Sequence, residues 1–192
     1  MTEQEDQQNI PIVLESAVRV LRSGGVIAYP TEAVFGLGCD PHNQTALQRI
    51  IDIKGRDAHK GFILIASDQS QLIEYLEPIS VEQQIKLDEY WPGPVTFVIP
   101  ARATIRNTLL AGYRDTLAVR VSSHPLVVSL CEMYGGAIVS TSANRSGEPA
   151  LCAAQDVIQL LGTDLDLVID APAGTLDSPT KIFELASGKQ LR

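Results

Sequence analysis

The sequence predicts a single-domain α/β fold, with one mixed parallel and antiparallel sheet flanked by helices. Short apolar runs alternate with helical patterns along the whole chain, the signature of a sheet covered on its faces. The 192 residues, 45% of them hydrophobic, suffice for one good-sized core but not for two ordinary domains and a linker. No internal repeat, low-complexity stretch or Ser/Gly linker divides them. The "WPGP" interruption at Trp91 and the short strands near the end argue that some strand pairs are antiparallel.

Each element has a local reason. Val13 to Leu21 reads as a helix with Val13, Ala17, Val20 and Leu21 on one side, stopped by Gly24-Gly25. Val26 to Tyr29 is a strand that Pro30 cuts off. Thr45 to Ile53 is helical, with Asn43 as its N-cap. Phe62 to Ala66 is a second strand, and Ser67 or Asp68 caps a short helix after it. Val81 to Tyr90 is a helix ended by "WPGP"; Val95 to Ile99, Thr116 to Val121 and Ala137 to Ser140 are strands. Between the last two, Ser123 can cap a helix from Pro125 to Tyr134 that halts at Gly135-Gly136. A helix at Ala153 to Leu161 and strands at Leu167 to Ile169 and Ile182 to Leu185 complete the pattern.

Composition restricts the function classes. Charged residues make up 20% of the chain and mean hydropathy is close to zero, a globular profile rather than a disordered one. No uninterrupted apolar stretch reaches the roughly 18 residues that a membrane helix needs. The acidic, polar start "MTEQEDQQN" lacks the basic and apolar regions of a secretion signal, so the expected location is the cytoplasm, with no membrane partner. Cys39, Cys131 and Cys152 are scattered and odd in number, which suggests buried free thiols rather than disulfides or a zinc site. The net charge of −8 disfavours a protein that grips nucleic acid through phosphate neutralisation. Arg49, Lys54, Arg56 and Lys60 nevertheless fall close together, and a local basic site in an acidic molecule suits a small polyanion.

Three strand ends look chemical, "YPTEAVFGLG", "AVRVSSHP" and "VSTSANRSG", and a basic run lies at a helix end from Ile51 to Gly61. In "VSTSANRSG", Ser140, Thr141, Ser142 and Asn144 supply hydroxyl and amide donors for anionic oxygens, although the same residues also make ordinary turns by bonding their own backbone. In "IDIKGRDAHKG", Lys54 suits a helix C-terminus through the macrodipole, whereas Arg56 and Lys60 lie past the helix. The three cations together would fit a triphosphate. Arg120 sits inside the strand "LAVRVSS", either on the wet face of an edge strand or as a clamp for carboxylate or phosphate. The chain has no Walker loop, no G-x-G-x-x-G after a strand and no G-x-S-x-G elbow. Ser178-Pro-Thr-Lys181 matches S-x-x-K without its companion motifs and is discounted. His42, His59 and His124 are dispersed and form no metal pattern. Glu32 and Asp40 could each act as acid or base, or lie at the surface.

Taken in order, "AYPTEAVFGLGCDP", Lys54-x-Arg56 with Lys60, "WPGPVTFV", "LAVRVSSHPL" and "VSTSANRSG" resemble the YrdC-like threonylcarbamoyl-AMP synthases, most nearly the short bacterial form. The resemblance runs from about Val13 to the C-terminus. It implies one YrdC-like domain over residues 1–192, with residues 1–9 as a flexible extension, no added C-terminal domain, and a twisted sheet around a concave central cavity. It also implies synthesis of threonylcarbamoyl-adenylate from L-threonine, bicarbonate or CO2, and ATP, with release of pyrophosphate and with Mg2+ assisting. A partner complex then transfers the group to the adenosine beside the anticodon of tRNAs reading codons that begin with A. A weak tRNA contact is compatible with this.

By the same resemblance Lys54 and Arg56 are catalytic and, with Lys60, meet the triphosphate. Thr116, Ser142, Asn144 and Arg192 join them in binding ATP, while Thr31, Arg120, Ser140 and Thr180 hold threonine or its carbamate. Gly36 and Gly38 let the backbone pass close to a ligand. No metal ligand is assigned. Glu32, Ala33 and Phe35 stand where the family more often has Asp, Thr and Tyr; Asp57 stands where Pro is usual, and Thr180 where Ser is usual. One alternative function is an RNA-binding module using the same concave basic surface. Another is a carbamoyl-adenylate-forming domain of hydrogenase maturation, which the missing zinc-finger and acylphosphatase segments disfavour.

Overall fold

Alternation along the strands decides which face of the sheet is filled and which is left open. The computed structural model describes the backbone of residues 3–176 and 180–192, and side chains from residue 11 onward. The strands are β1 (Ile27–Pro30), β2 (Phe35–Gly38), β3 (Ile63–Ala66), β4 (Val95–Pro100), β5 (Thr116–Val121), β6 (Ile138–Ser142), β7 (Leu167–Val168) and β8 (Lys181–Glu184). They form one sheet in the order β7-β1-β2-β6-β3-β5-β4-β8. The β1–β7, β3–β5 and β4–β8 pairs are parallel, and the β1–β2, β2–β6, β3–β6 and β4–β5 pairs antiparallel. The sheet is thus mixed, as the sequence predicts.

Five α-helices accompany it: α1 (Glu3–Arg22), α2 (Gln44–Lys54), α3 (Val81–Asp88), α4 (Pro125–Tyr134) and α5 (Ala154–Leu161). One face of the sheet presents Ala28, Leu37, Leu64, Val119 and Val139 to a core shared with Leu47 and Ile50 of α2 and Val157 of α5. The opposite face presents Ile27, Tyr29, Ile65 and Ile138 to Leu14, Ala17 and Leu21 of α1 and Val127 and Leu130 of α4. Successive side chains alternate between faces. Ser140 and Ser142 therefore continue the face of Ile138, and Ala118 and Arg120 lie on one face of β5. Register sets Ser140 beside Ile63, and Ile63 beside Ala118. Helices α1 and α4 cover only part of this second face, and the functional cleft opens on the rest.

Local rules account for most boundaries. The Asn43 side chain accepts from the Ala46 amide at 3.0 Å, and Gly55 ends α2 in the left-handed region at φ 57°. Asp68, not Ser67, caps the 3₁₀ turn after β3, accepting from the Ser70 amide at 2.8 Å. Ser80 and Gln83 form a capping box at the start of α3. The cap residue of α4 is His124, with no side-chain bond, so the expected Ser123 cap is not made. Helix α1 begins at Glu3 and takes in residues 3–9, which the sequence reading leaves as a flexible extension. Glu and Gln are good helix formers and no breaker stands among them. Residues 1 and 2 of that extension lie outside the described residues, as does the 177–179 part of "DSPTKIFEL" with Ser178 of the S-x-x-K match. Cys39 and Cys131 are buried free thiols as expected, but Cys152 is exposed, because it precedes α5 on the outer surface.

The element missing from the sequence reading is β2. Its glycines weaken the strand signal, yet Tyr29 pairs with Gly36 across the hairpin, and its ring lies over both glycines. A Cβ on Gly38 would stand 2.7 Å from the Tyr29 ring and 2.8 Å from the Val139 carbonyl oxygen. Gly38 thus makes room for Tyr29 rather than for a ligand, which corrects the expectation for that glycine. Gly36 does line the cleft. Gly38→Ala should cost about 1–3 kcal/mol of stability through overpacking, read as a lower urea midpoint at an unchanged slope. An unaltered midpoint would show that the Tyr29 ring moves aside freely.

Candidate ligand cleft

The cleft encloses about 290 Å3, and its floor is the uncovered stretch of sheet. Thr31, Arg120, Ser140, Ser142, Asn144, Thr180 and Arg192, all singled out from the sequence, line it together. They come from the β1–β2 turn, the far half of β5, the end of β6 and the last thirteen residues, so only the folded chain collects them. Gly36, Ile63, Thr141, Glu148 and Ala150 add to the wall.

The turn after β1 sets the threonine-rich end. Pro30 closes the strand, and both the amide and the hydroxyl of Thr31 donate to the Val34 carbonyl, at 3.0 and 2.7 Å. The Thr31 side chain is thereby held in the cleft with oxygen lone pairs to spare. Arg120 is 4% exposed. Its Nη1 donates to Thr180 Oγ1 at 2.7 Å, Nη2 stands 3.3 Å from Glu32 Oε2, and Nε is buried without a partner among the described residues. The wet-face alternative for Arg120 is excluded, because β5 lies inside the sheet between β3 and β4.

The β6 end is organised by Lys54. Its ammonium donates to the Ser142 carbonyl, to the Asn144 carbonyl at 3.0 Å and to Asn144 Oδ1 at 3.1 Å. Three donors meet three oxygens. Ser142 Oγ donates to Asn144 Oδ1 at 2.5 Å, and the Asn144 amide nitrogen donates to the carbonyls of Arg145 and Glu148. Lys54 is 5% exposed and does not itself line the cleft. Arg56 donates to Thr141 Oγ1 at 3.2 Å and to the Gly61 carbonyl at 2.5 Å, and stacks 4.3 Å over the Phe62 ring. Lys60 is exposed, and neither it, Arg56 nor Thr116 lines this cavity. The three cations predicted from one short segment therefore do not point into the cleft together. Two of them brace the β6 strand and loop from behind, because α2 ends against that loop and Gly55 turns the chain away.

Burial, followed by the neighbouring charges of Arg56 and Lys60, pulls the Lys54 ammonium down to about 7. Burial alone brings Arg56 down to about 10. Arg192 is lowered too, first by burial and then by Arg120. For Lys54 the sign follows directly. Between about pH 7 and the ordinary lysine range the unfolded chain holds this proton and the folded protein does not, so stability rises with pH there. A gain of about 1–2 kcal/mol from pH 7 to pH 9 is expected in urea unfolding, and Lys54→Met should abolish it. A rise that persists in the variant would assign it to another group.

Glu32 and its partner Ser122 were not readable as a pair, since 90 positions separate them. Ser122 donates to Glu32 Oε1 at 2.6 Å, and both are buried. The one available signal was spacing, because Ser122, one residue past the end of β5, lies two positions from Arg120. Among the described residues no group of three or more His, Cys, Asp or Glu side chains could hold a metal ion, and no helix is long and apolar enough to cross a membrane.

A mixed sheet with one partly bare face, a buried guanidinium on it and a hydroxyl-rich strand end beside it define an α/β protein with a polar cleft open on its sheet. The family model Sua5/YciO/YrdC, described as telomere recombination, matches residues 19–192, and the chain belongs to this family. A relative from Nitrosococcus oceani, named threonylcarbamoyl-AMP synthase, is 48% identical over 92% of this chain and 95% of its own length. Another of that name, from Halorhodospira halophila, is 45% identical over 95% of each chain. Among solved structures, P. abyssi Sua5 complexed with L-threonine superposes with a TM-score of 0.85 at 29% identity. The match covers 92% of this chain and 52% of that one, so the chain spans about half the length of Sua5. E. coli YciO gives a TM-score of 0.77 at 29% identity, over 91% of this chain and 84% of that one.

Proposed function

We propose that the cleft condenses L-threonine, CO2 or bicarbonate, and ATP into threonylcarbamoyl-AMP, releasing pyrophosphate. The observation that carries this reading is the buried Arg120 on the open sheet face, flanked by Thr31, Ser140 and Thr180. Such a guanidinium, hydrogen-bonded to one hydroxyl and with donors to spare, suits the carboxylate of an amino acid. Ser142, Asn144 and Arg192 form the neighbouring part of the wall and take the nucleotide. The relatives' name and the threonine complex of Sua5 support threonine and ATP as the substrates.

In the reaction the threonine amine adds to CO2 and loses a proton, giving a carbamate. A carbamate oxygen then attacks the α-phosphorus of ATP, and the bond to the pyrophosphate oxygen breaks. Both partners are anions, so bringing them together and balancing their charge is the protein's main task. Arg120 serves the carboxylate end, and Arg192 serves the nucleotide. Lys54 and Arg56 hold the β6 strand and loop that present Ser142 and Asn144; Lys60, exposed on the adjoining turn, is left to meet the outer phosphates. Among the described residues Glu148 is the single carboxylate in the cleft wall. Mg2+ would therefore be held chiefly by the phosphates of ATP, where it supplies charge neutralisation, and not by a protein cage. The product then serves modification of the adenosine beside the anticodon, through a separate transfer complex.

Mass spectrometry of the protein incubated with threonine, bicarbonate, ATP and Mg2+ tests this. Threonylcarbamoyl-AMP with equimolar pyrophosphate is expected. ATP left intact, or AMP formed equally without threonine, would overturn it.

A further inference from the structure

Glu32 stands immediately behind the cleft without entering it. It is 7% exposed and absent from the cavity wall, whereas its neighbour Thr31 lines it. One carboxylate oxygen, Oε1, accepts a hydrogen bond from the Ser122 hydroxyl at 2.6 Å. The hydroxyl oxygen of Ser122 in turn accepts from the His124 amide at 3.1 Å, at the start of α4. The other carboxylate oxygen, Oε2, lies 3.3 Å from Arg120 Nη2, an ion-pair distance without hydrogen-bond alignment. The backbone around Glu32 is equally constrained. The carbonyls of Thr31 and Glu32 accept from Gly174 and Leu176 at 2.8 and 3.1 Å. A Cβ on Gly174 would stand 2.4 Å from the Glu32 carbonyl oxygen.

A buried arginine needs a counter-charge, and truncating one member of such a pair is far more costly than the pair is worth. Glu32 supplies that charge. Because Nη1 bonds Thr180 and Oε2 only faces Nη2, the guanidinium keeps Nη donors for a second carboxylate, while Ser122 keeps Glu32 from swinging into the cleft. We infer that Glu32, anchored by Ser122, is a positioning residue that holds the Arg120 guanidinium in register with Thr180 to receive the carboxylate of the amino-acid substrate. It touches no substrate and transfers no proton. This replaces the acid-or-base role that the sequence left open for Glu32, and it rests on the reading of the cleft as the threonine and ATP site.

The test is a comparison of Glu32→Gln, Glu32→Asp and Ser122→Ala in steady-state synthesis with threonine and ATP varied separately. Glu32→Gln keeps the shape and an oxygen for Ser122 but removes the charge. It should raise KM for threonine about tenfold or more, with KM for ATP within about twofold. Glu32→Asp should recover most of the loss, and Ser122→Ala should show a smaller loss of the same selectivity. Circular dichroism and melting curves identify any variant that fails to fold, and Ser122→Ala, which leaves the ion pair in place, then carries the comparison. An unchanged threonine KM in a folded Glu32→Gln or Ser122→Ala, equal losses toward threonine and ATP, or an Asp variant no better than Gln would overturn the inference while wild-type synthesis leaves the proposed function standing. Absence of product from the wild-type protein would overturn both.

Discussion

Replacing Lys54 with methionine should reduce the synthesis rate by about a hundredfold while the sheet and its helices remain folded. The basis is positional. The lysine does not line the cleft, but its amino group bonds the Ser142 carbonyl and both oxygens of Asn144, residues whose side chains line the end of the cleft proposed above for the nucleotide. A displacement of about 1 Å in such a wall costs on the order of 10²-fold in rate. Methionine fills the same channel at nearly the same length and offers no donor, so the loop carbonyls lose their partners. Two measurements check this together. Single-turnover kinetics should show the fall in the chemical step, and amide hydrogen exchange should quicken across 142–148 with little change in β3 or β5. A variant with near-normal turnover, or one that is slow with an unaltered loop, would return Lys54 to a direct role at the phosphates or to none.

Arg120→Lys is expected to raise KM for threonine by about a hundredfold and to leave ATP nearly unaffected. Charge is conserved, so Glu32 keeps a counter-ion and the protein should fold. What disappears is the planar fork. One ammonium cannot face Glu32 Oε2, bond Thr180 Oγ1 and receive a second carboxylate at the same time. A hundredfold change corresponds to about 2.7 kcal/mol, within the range for charge-assisted hydrogen bonds lost at a buried site. Calorimetric titration with threonine alone separates this from a rate effect. Equal weakening of threonine and ATP would place Arg120 between the two ligands and undo the division of the cleft proposed above.

These two residues also show what could be read in advance. The "VSTSAN" strand end, the "YPTE" turn and Arg120 stand out because their residue types are wrong for a plain strand or turn. The structure brings them into one wall. Arg192 and Thr180 entered only by resemblance, since nothing local marks a C-terminal arginine or one more threonine. The direction of the Lys54 side chain was not legible at all. In sequence it sits with Arg56 and Lys60 as one basic run, but α2 ends on the β6 loop, and burial sends Lys54 and Arg56 to carbonyl and hydroxyl oxygens while Lys60 stays in solvent.

Much of the local architecture was determined by the sequence alone. Asn43 and Gly55 bound α2, Gly135 ends α4, and short apolar runs mark β4 and β5, because caps, left-handed glycines and apolar runs depend on neighbours within a few positions. Tertiary structure decided the rest. Strand β2 exists because the Tyr29 ring covers two glycines across a hairpin, and Glu32 finds Ser122 at 90 positions' remove. The cleft exists because α1 and α4 stop short of covering one sheet face. Each of these depends on which distant groups exclude water from one another, and no short window of sequence holds that information.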